Sequence, residues 1–227
     1  MKVTYYGHAC FAVEIGGRHI LFDPYITQNP LAADVAIKTI PADYIFVSHG
    51  HDDHIGDTVK IAKHTGATVI ANFEVAAWLK KKGAPKIHPL NPGGSYDFSA
   101  GRVKSVNAIH SSSLPNGDYG GVPGGFVLES KEGNFYYSGD TALTQDMKLI
   151  GETTPLNFAV LCIGGNFTMD VDDAIRTADF VKCDQVLGVH YDTFPEIKIN
   201  HIIAQEKFSA RGKTLHLLQI QETRDFN

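Results

Sequence analysis

The stretch YIFVSHGHDDHIGD, residues 44–57, runs from four strand-type apolar residues straight into three histidines and three aspartates. The apolar part reads as a buried strand ending in Ser48, so the titratable part must lie where that strand stops and the next helix starts. His49 and His51 are two apart and can face one side of an extended segment, whereas Asp53 and His54 are adjacent and must diverge. That divergence suits two neighbouring metal positions better than one. Imidazoles and carboxylates are natural ligands for Zn, Mn or Fe, and paired ions sit about 3.5–4 Å apart. A lone HxH reads as a solvated turn with incidental histidines, but four such residues in HxHxDH spacing at a strand-to-helix turn do not.

The same punctuation recurs downstream. His110 closes RVKSVNAIH, Asp140 closes NFYYSGD and His190 closes QVLGVH. Sites in layered folds gather at strand ends, so these three residues are candidates for the same edge. Other strand-like runs are KVTYY, CFAVEI, HILFD, TVIAN, GFVLES, FAVLCI and TLHLLQI. Helical patterns occupy residues 54–65, 73–82, 170–181 and 198–209, with Gly66 as a stop and Asp170 as an N-cap. Gly16-Gly17 and Glu132-Gly133-Asn134 each separate two apolar runs, as hairpin turns do. Strand pairs early and strand–helix alternation later predict an α/β fold of two sheets packed together with helices outside. No linker or repeat divides the chain, so a single domain over residues 1–227 is expected.

The net charge of −5 argues against a general polyanion binder. The only tight basic run, Lys80 to Lys82, reads as a solvated helix end. The N-terminal residues lack an apolar stretch of signal-peptide length, and no apolar run reaches membrane-spanning length. Cys10, Cys162 and Cys183 are odd in number and form no CxxC pair, as expected of buried free thiols in a reducing compartment. The expectation is a cytoplasmic protein without membrane insertion. Residues 111–125, SSSLPNGDYGGVPGG, form the longest loop, and loops of that length in compact domains tend to be functional.

HGHDDH, then His110, then SGDT around Asp140, then VHYDTFP around His190, resemble the metallo-β-lactamase superfamily. GHACF, LFDP, GGNFTMD and HYDTFP more narrowly resemble its poorly characterised metal-dependent hydrolases, which are related to sugar-phosphate lactonases and N-acyl-phosphatidylethanolamine phosphodiesterases. The resemblance implies a four-layer αββα sandwich with the site at one edge of two mixed sheets. It implies a dinuclear centre of two divalent ions, Zn or Mn foremost and Fe next. His49, His51 and His110 would hold the first, Asp53, His54 and His190 the second, and Asp140 would bridge them. It also makes Asp23 of LFDP an outer acceptor that fixes a ligand histidine's tautomer, a role competing with ordinary Asp-Pro turn chemistry, and places His8 in the pocket.

The chemistry this implies is hydrolysis of an ester, lactone or phosphodiester bond in a small molecule by a metal-bridging hydroxide. Asp53 would orient the hydroxide, and His8 or a metal-bound water would protonate the leaving group. Phe194, Gly165 and Met169 are candidate pocket residues, the Gly164-Gly165 pair as backbone that can approach a ligand or offer N–H groups to an anion. His19, His64, His88, His201 and His216 carry no metal assignment, and Trp78, Phe73 and Leu79 read as core packing. No G-x-S-x-G elbow is present. The competing readings are a metal-binding scaffold or regulatory protein that kept the fold, and a phosphodiesterase acting on nucleic acid, which the absence of a long basic insertion disfavours. Self-association into a homo-oligomer is compatible with the sequence.

Overall fold

The computed structural model describes residues 1–226. Its first sheet contains β1 (Lys2–Gly7), β2 (Cys10–Ile15), β3 (Arg18–Phe22), β4 (Tyr44–Phe46), β5 (Thr68–Ala71) and β6 (Lys86–Pro89). The second contains β7 (Ser95–Phe98), β8 (Gly101–Asn107), β9 (Gly124–Ser130), β10 (Gly133–Tyr137), β11 (Phe158–Cys162), β12 (Gln185–Val189) and β13 (Thr214–His216). A last strand, β14 (Thr223–Asp225), returns to pair with β1, giving the orders β14-β1-β2-β3-β4-β5-β6 and β13-β12-β11-β10-β9-β8-β7. Each sheet begins antiparallel and continues parallel from β3 or β10 onward.

Three apolar clusters make four layers. Phe11, Phe22, Phe46, Phe126, Phe135 and Tyr137 meet between the sheets. The outer face of the first sheet packs under α1 (Asp52–Ile55), α2 (Thr58–Thr65) and α3 (Phe73–Lys81) through Leu21, Ile45, Ile61, Val75 and Leu79. The outer face of the second packs under α4 (Met147–Thr153), α5 (Val171–Phe180) and α6 (His201–Ser209) through Leu161, Met147, Ile175 and Phe208. The sheets' inner strands are buried on both faces, which is why FAVLC carries no polar alternation. The expected αββα sandwich of two mixed sheets is the observed architecture.

Local differences from the sequence reading have local causes. The helix expected over 54–65 is two helices, because Asp57 turns away to accept bonds from the Ile26 and Thr27 amides at 3.0 and 2.7 Å. Asp170 does cap α5, accepting from the Asp173 amide at 2.9 Å. The second hairpin turns at Lys131-Glu132, since Ser130 pairs with Gly133 and Asn134 already lies in β10. Gly16 and Gly17 do form the first hairpin turn, both with left-handed backbone, φ +58° and +69°.

Candidate metal centre

The ends of β1, β3, β4, β8, β10 and β12 meet at one edge, and each delivers a titratable side chain. The β4 strand stops at Phe46, and Val47-Ser48 lead into His49, His51, Asp53 and His54 at the start of α1. His8, Asp23 and His190 follow β1, β3 and β12, and all three hold left-handed backbone, with φ of 55°, 39° and 58°. Non-glycine residues adopt that region at a cost, and such strain collects at functional positions. The His190 amide donates to the His8 carbonyl at 2.8 Å, tying the end of one sheet to the end of the other. Gly164 makes this junction feasible, because a Cβ there would collide with the His190 carbonyl oxygen.

The seven ligand candidates converge. His49, His51 and His110 form one group of ring nitrogens, His49, His54 and Asp140 a second, and His8, Asp53, His54 and His190 a third. Asp140 is central: its Oδ2 lies 2.9 Å from His190 Nε2, 3.3 Å from His54 Nε2 and 3.6 Å from His110 Nε2. Asp53 Oδ2 lies 3.8 Å from the Nε2 atoms of both His54 and His190.

Tautomers follow from the surrounding donors. Asp23 is fully buried and accepts from the Ser48 amide at 2.7 Å, Ser48 Oγ at 2.6 Å and Tyr137 Oη at 2.6 Å. It also receives His54 Nδ1 at 2.8 Å, so when His54 gives up a proton its lone pair is on Nε2, facing Asp140. Ser48 spends its proton on Asp23 and therefore accepts from His49 Nδ1 at 2.9 Å, leaving the His49 lone pair on Nε2. That atom faces His51 Nδ1 at 2.9 Å, while His51 Nε2 reaches Ser111 Oγ at 3.3 Å. At this separation either His51 donates its Nδ1 proton to His49 Nε2 or the two nitrogens face a shared cation.

Charge balance points the same way. Burial and the neighbouring His54 hold His49 well below the ordinary histidine range. Burial works against charge on His190, yet Asp140 and Asp53 lift it to about 9, and His54 is raised well above its usual value by Asp140, Asp53 and Asp23 against its own burial. Burial alone would raise Asp140, but His190 and His54 keep it ionised, well below the usual carboxylate range. His54 Nε2, Asp140 Oδ1 and His190 Nδ1 are buried without a hydrogen-bond partner in the protein. His54 Nε2, orphaned beside the ionised Asp140 where the other ring nitrogens gather, fits a divalent cation.

His8 is fully buried beside this cluster, its Nε2 3.0 Å from Asp53 Oδ2 and its Nδ1 2.9 Å from Thr193 Oγ1. Burial and His190 push it down to about 4, against the pull of Asp53. The neutral ring donates from Nε2 to Asp53 and accepts at Nδ1 from the Thr193 hydroxyl, whose other acceptor, the Tyr191 carbonyl, is farther away at 3.4 Å. Phe194 stands edge-on to His8 at 5.5 Å, half-buried.

Two of the sequence candidates differ from expectation. Met169 is 1% exposed, packed under α5, where its sulfur accepts from Thr177 Oγ1 at 3.0 Å, so it lines no pocket. In the Gly165 turn four amides are already occupied: those of Gly165, Phe167, Thr168 and Met169 donate to Met169, Gly165, Gly165 and Thr141 carbonyls. Ser48, Tyr137, Thr193 and Ser111 escaped the sequence reading, although Thr193 stood inside the quoted HYDTFP run. Loop 111–125 is anchored over the site, with Asn72 Nδ2 donating to the Gly120 and Val122 carbonyls at 2.8 and 3.0 Å and the Gly50 amide to Ser112 Oγ at 3.1 Å. The three cysteines are buried, and burial pushes the Cys162 and Cys183 thiols up to about 11, which disfavours thiolate chemistry. Among the described residues no helix is long and apolar enough to cross a membrane.

Comparison with known proteins agrees with this geometry. Residues 2–190 match the beta-lactamase superfamily domain. A UPF0173 metal-dependent hydrolase of Flavobacterium johnsoniae is 55% identical over 98% of this chain and 99% of its own length. One from Christiangramia forsetii is 54% identical over 98% and 99%. Among solved structures, Igni18, a metallo hydrolase from the archaeon Ignicoccus hospitalis, superposes with a TM-score of 0.89 at 32% identity, covering 100% of this chain and 99% of its own. An isothiocyanate hydrolase from Delia radicum gut bacteria shares the fold at a TM-score of 0.82 and 19% identity, covering 100% and 99%. The chain belongs to the beta-lactamase superfamily and, within it, to the UPF0173 metal-dependent hydrolases.

Proposed function

We propose that the protein binds two divalent ions, Zn or Mn, and hydrolyses an ester, lactone or phosphodiester bond in a small molecule. His49, His51 and His110 would hold one ion, Asp53, His54 and His190 the other, with Asp140 shared. The observation that carries this reading is the convergence of those side chains on Asp140, with His54 Nε2 and Asp140 Oδ1 buried and unpartnered. Such ions, when bound, supply activated water at neutral pH and a Lewis acid for the developing negative charge.

The chain's own groups prepare that chemistry. Asp23 and Ser48 fix the tautomers of His54 and His49, so each presents a lone pair inward. His8 donates to Asp53 Oδ2 and thereby orients the carboxylate without neutralising it. The Thr193 hydroxyl at the far side of the ring keeps the proton on Nε2 in its bond to Asp53, so the neutral His8 acts by positioning that carboxylate, and the proton for the departing group would come from the activated water. The free thiols stay protonated and outside the reaction.

Asp140→Asn tests the assignment. The variant should lose at least one equivalent of bound metal, measured by elemental analysis after reconstitution, and turnover should fall at least about a hundredfold. Retention of two equivalents with full activity would remove Asp140 from the shared position.

A further inference from the structure

The substrate's charge is written into the segments that surround the cluster. Seven of them line the site edge: residues 7–9, 23–29, 47–57, 108–123, 138–146, 163–170 and 190–197. The chain has 20 lysines and arginines, yet none falls in any of these seven, while Asp52, Asp118, Asp192 and Glu196 do, in addition to the candidate ligands Asp53 and Asp140. The cations just beyond are engaged elsewhere. Lys60 pairs with Asp57 at 3.1 Å, and Lys198 lies in a groove behind the Gly164 turn together with Asp170 and Asp172.

In the Gly165 turn the amides of Gly165, Phe167, Thr168 and Met169 are already taken by carbonyls. What the rim does expose is hydrocarbon. Ile109, the neighbour of His110, is 62% exposed, and Phe167 is 51% exposed. Both are held beside Asp140: the Ile109 amide donates to Thr141 Oγ1 at 2.9 Å, and the loop carrying Phe167 is tied to the Thr141 carbonyl by the Met169 amide at 2.9 Å. Phe194 adds an aromatic edge against His8. An isolated exposed Leu or Ile is ordinary, but apolar side chains flanking a buried polar cluster on two sides describe a binding mouth.

Sites that take phosphorylated or polyanionic compounds supply arginine, lysine or free amides for the charges remote from the reacting centre. No arginine or lysine stands in these segments. We infer that the substrate is an uncharged carbonyl ester, open-chain or lactone, carrying an apolar substituent, and not a sugar phosphate, nucleotide or nucleic acid. This rests on the hydrolase reading above and narrows it to carbon chemistry. In the step itself, water adds its oxygen to the carbonyl carbon, the C–O bond to the leaving group breaks, and the products are a carboxylic acid and an alcohol.

The test holds the reacting centre and leaving group constant and varies only remote charge. Zn- and Mn-reconstituted protein, with metal content measured, is assayed on p-nitrophenyl butyrate and on the analogue carrying a terminal sulfonate, a weakly coordinating anion. The neutral ester should be preferred by at least about tenfold in kcat/KM, more at low salt, as repulsion from the acidic rim predicts. Ile109→Lys and Phe167→Lys, both at exposed positions, should narrow or reverse that ratio. Equal or better hydrolysis of the sulfonate ester overturns the inference and leaves the hydrolase reading intact. Should neither ester turn over with two metals bound while bis(p-nitrophenyl) phosphate does, the carbonyl-ester inference falls and the hydrolase reading stands; should none of the three turn over, the hydrolase reading itself fails. Calorimetric binding of the matching, hydrolysis-resistant p-nitrophenyl alkyl ethers then decides the charge preference: tighter binding of the neutral ether upholds it, tighter binding of the sulfonate ether overturns it.

Discussion

Asp23→Asn is the substitution whose consequences the structure fixes most closely. The carboxylate receives four bonds from inside the protein: Oδ1 from the Ser48 amide at 2.7 Å, and Oδ2 from Ser48 Oγ, Tyr137 Oη and His54 Nδ1 at 2.6, 2.6 and 2.8 Å. An amide can keep its oxygen toward the three donors, but its NH2 then faces the Ser48 N–H, and one buried donor goes unsatisfied at about 1–3 kcal/mol. The three remaining bonds lose charge assistance, which roughly halves each and adds about 1–3 kcal/mol. A total of about 2–6 kcal/mol is a large part of the stability of an ordinary domain. Because His54 also loses its anchor, metal affinity should fall about 10–100-fold. Tyr137→Phe is the control, since it removes one bond to Asp23 from the second sheet and does not touch His54 directly. It should lose about 1–2 kcal/mol while metal affinity changes little. Urea unfolding of the metal-free proteins reads the first quantity, and competition with a chelating dye reads the second. Wild-type stability in Asp23→Asn, or equal loss of affinity in both variants, would falsify the hub.

Three further outcomes follow from other contacts. Thr193→Val removes the hydroxyl that holds the His8 proton on Nε2, so kcat should drop about tenfold with metal content unchanged, and Thr193→Ser should restore it. Metal uptake should release protons: His190 sits at about 9 and His54 above its usual value in the metal-free cluster, so at pH 7 both are protonated and each must deprotonate to ligate. Affinity should therefore rise with pH and level off once pH passes about 9 on the His190 limb, with proton release visible as buffer-dependent binding enthalpy. Gly164→Ala places a methyl against the His190 carbonyl, so it should destabilise the fold by about 1–3 kcal/mol and weaken metal binding more than Gly212→Ala, an exposed turn glycine with open space around it.

Much of this architecture was legible because its signals are local. Strands such as FAVLC and QVLGV announce themselves by composition, and each polar residue that ends one, Asp23, His49, Asp140 or His190, lands at the same edge once the sheets form. What escaped depends on distant partners. The α4 helix, MKLIGET, has a central glycine and little periodicity, and it exists because Met147 and Ile150 bury against the second sheet's outer face. β14 is three exposed residues that pair with β1 from the other end of the chain. Ser48, Tyr137 and Thr193 are ordinary polar residues in sequence. Their roles arise from Asp23, 25 and 114 positions from Ser48 and Tyr137, and from His8, 185 positions from Thr193. Met169 illustrates the opposite error, since its neighbours in GGNFTMD border the site while its own side chain turns into the core.

The two sheets also divide the site between two halves of the polypeptide. Each half repeats one plan, an antiparallel start followed by parallel strands under helices, and the strand orders mirror one another across the sandwich. His8, His49, His51, Asp53 and His54 come from the first half, and His110, Asp140 and His190 from the second. Neither half alone holds three ligands of the first proposed group or the shared carboxylate with its partners. An ion bound there would act as a rivet between the halves, so metal occupancy and docking of the two sheets would be thermodynamically one event. Evolution of a new specificity can accordingly work on loops of either half, while every ligand remains answerable to the other half's folding.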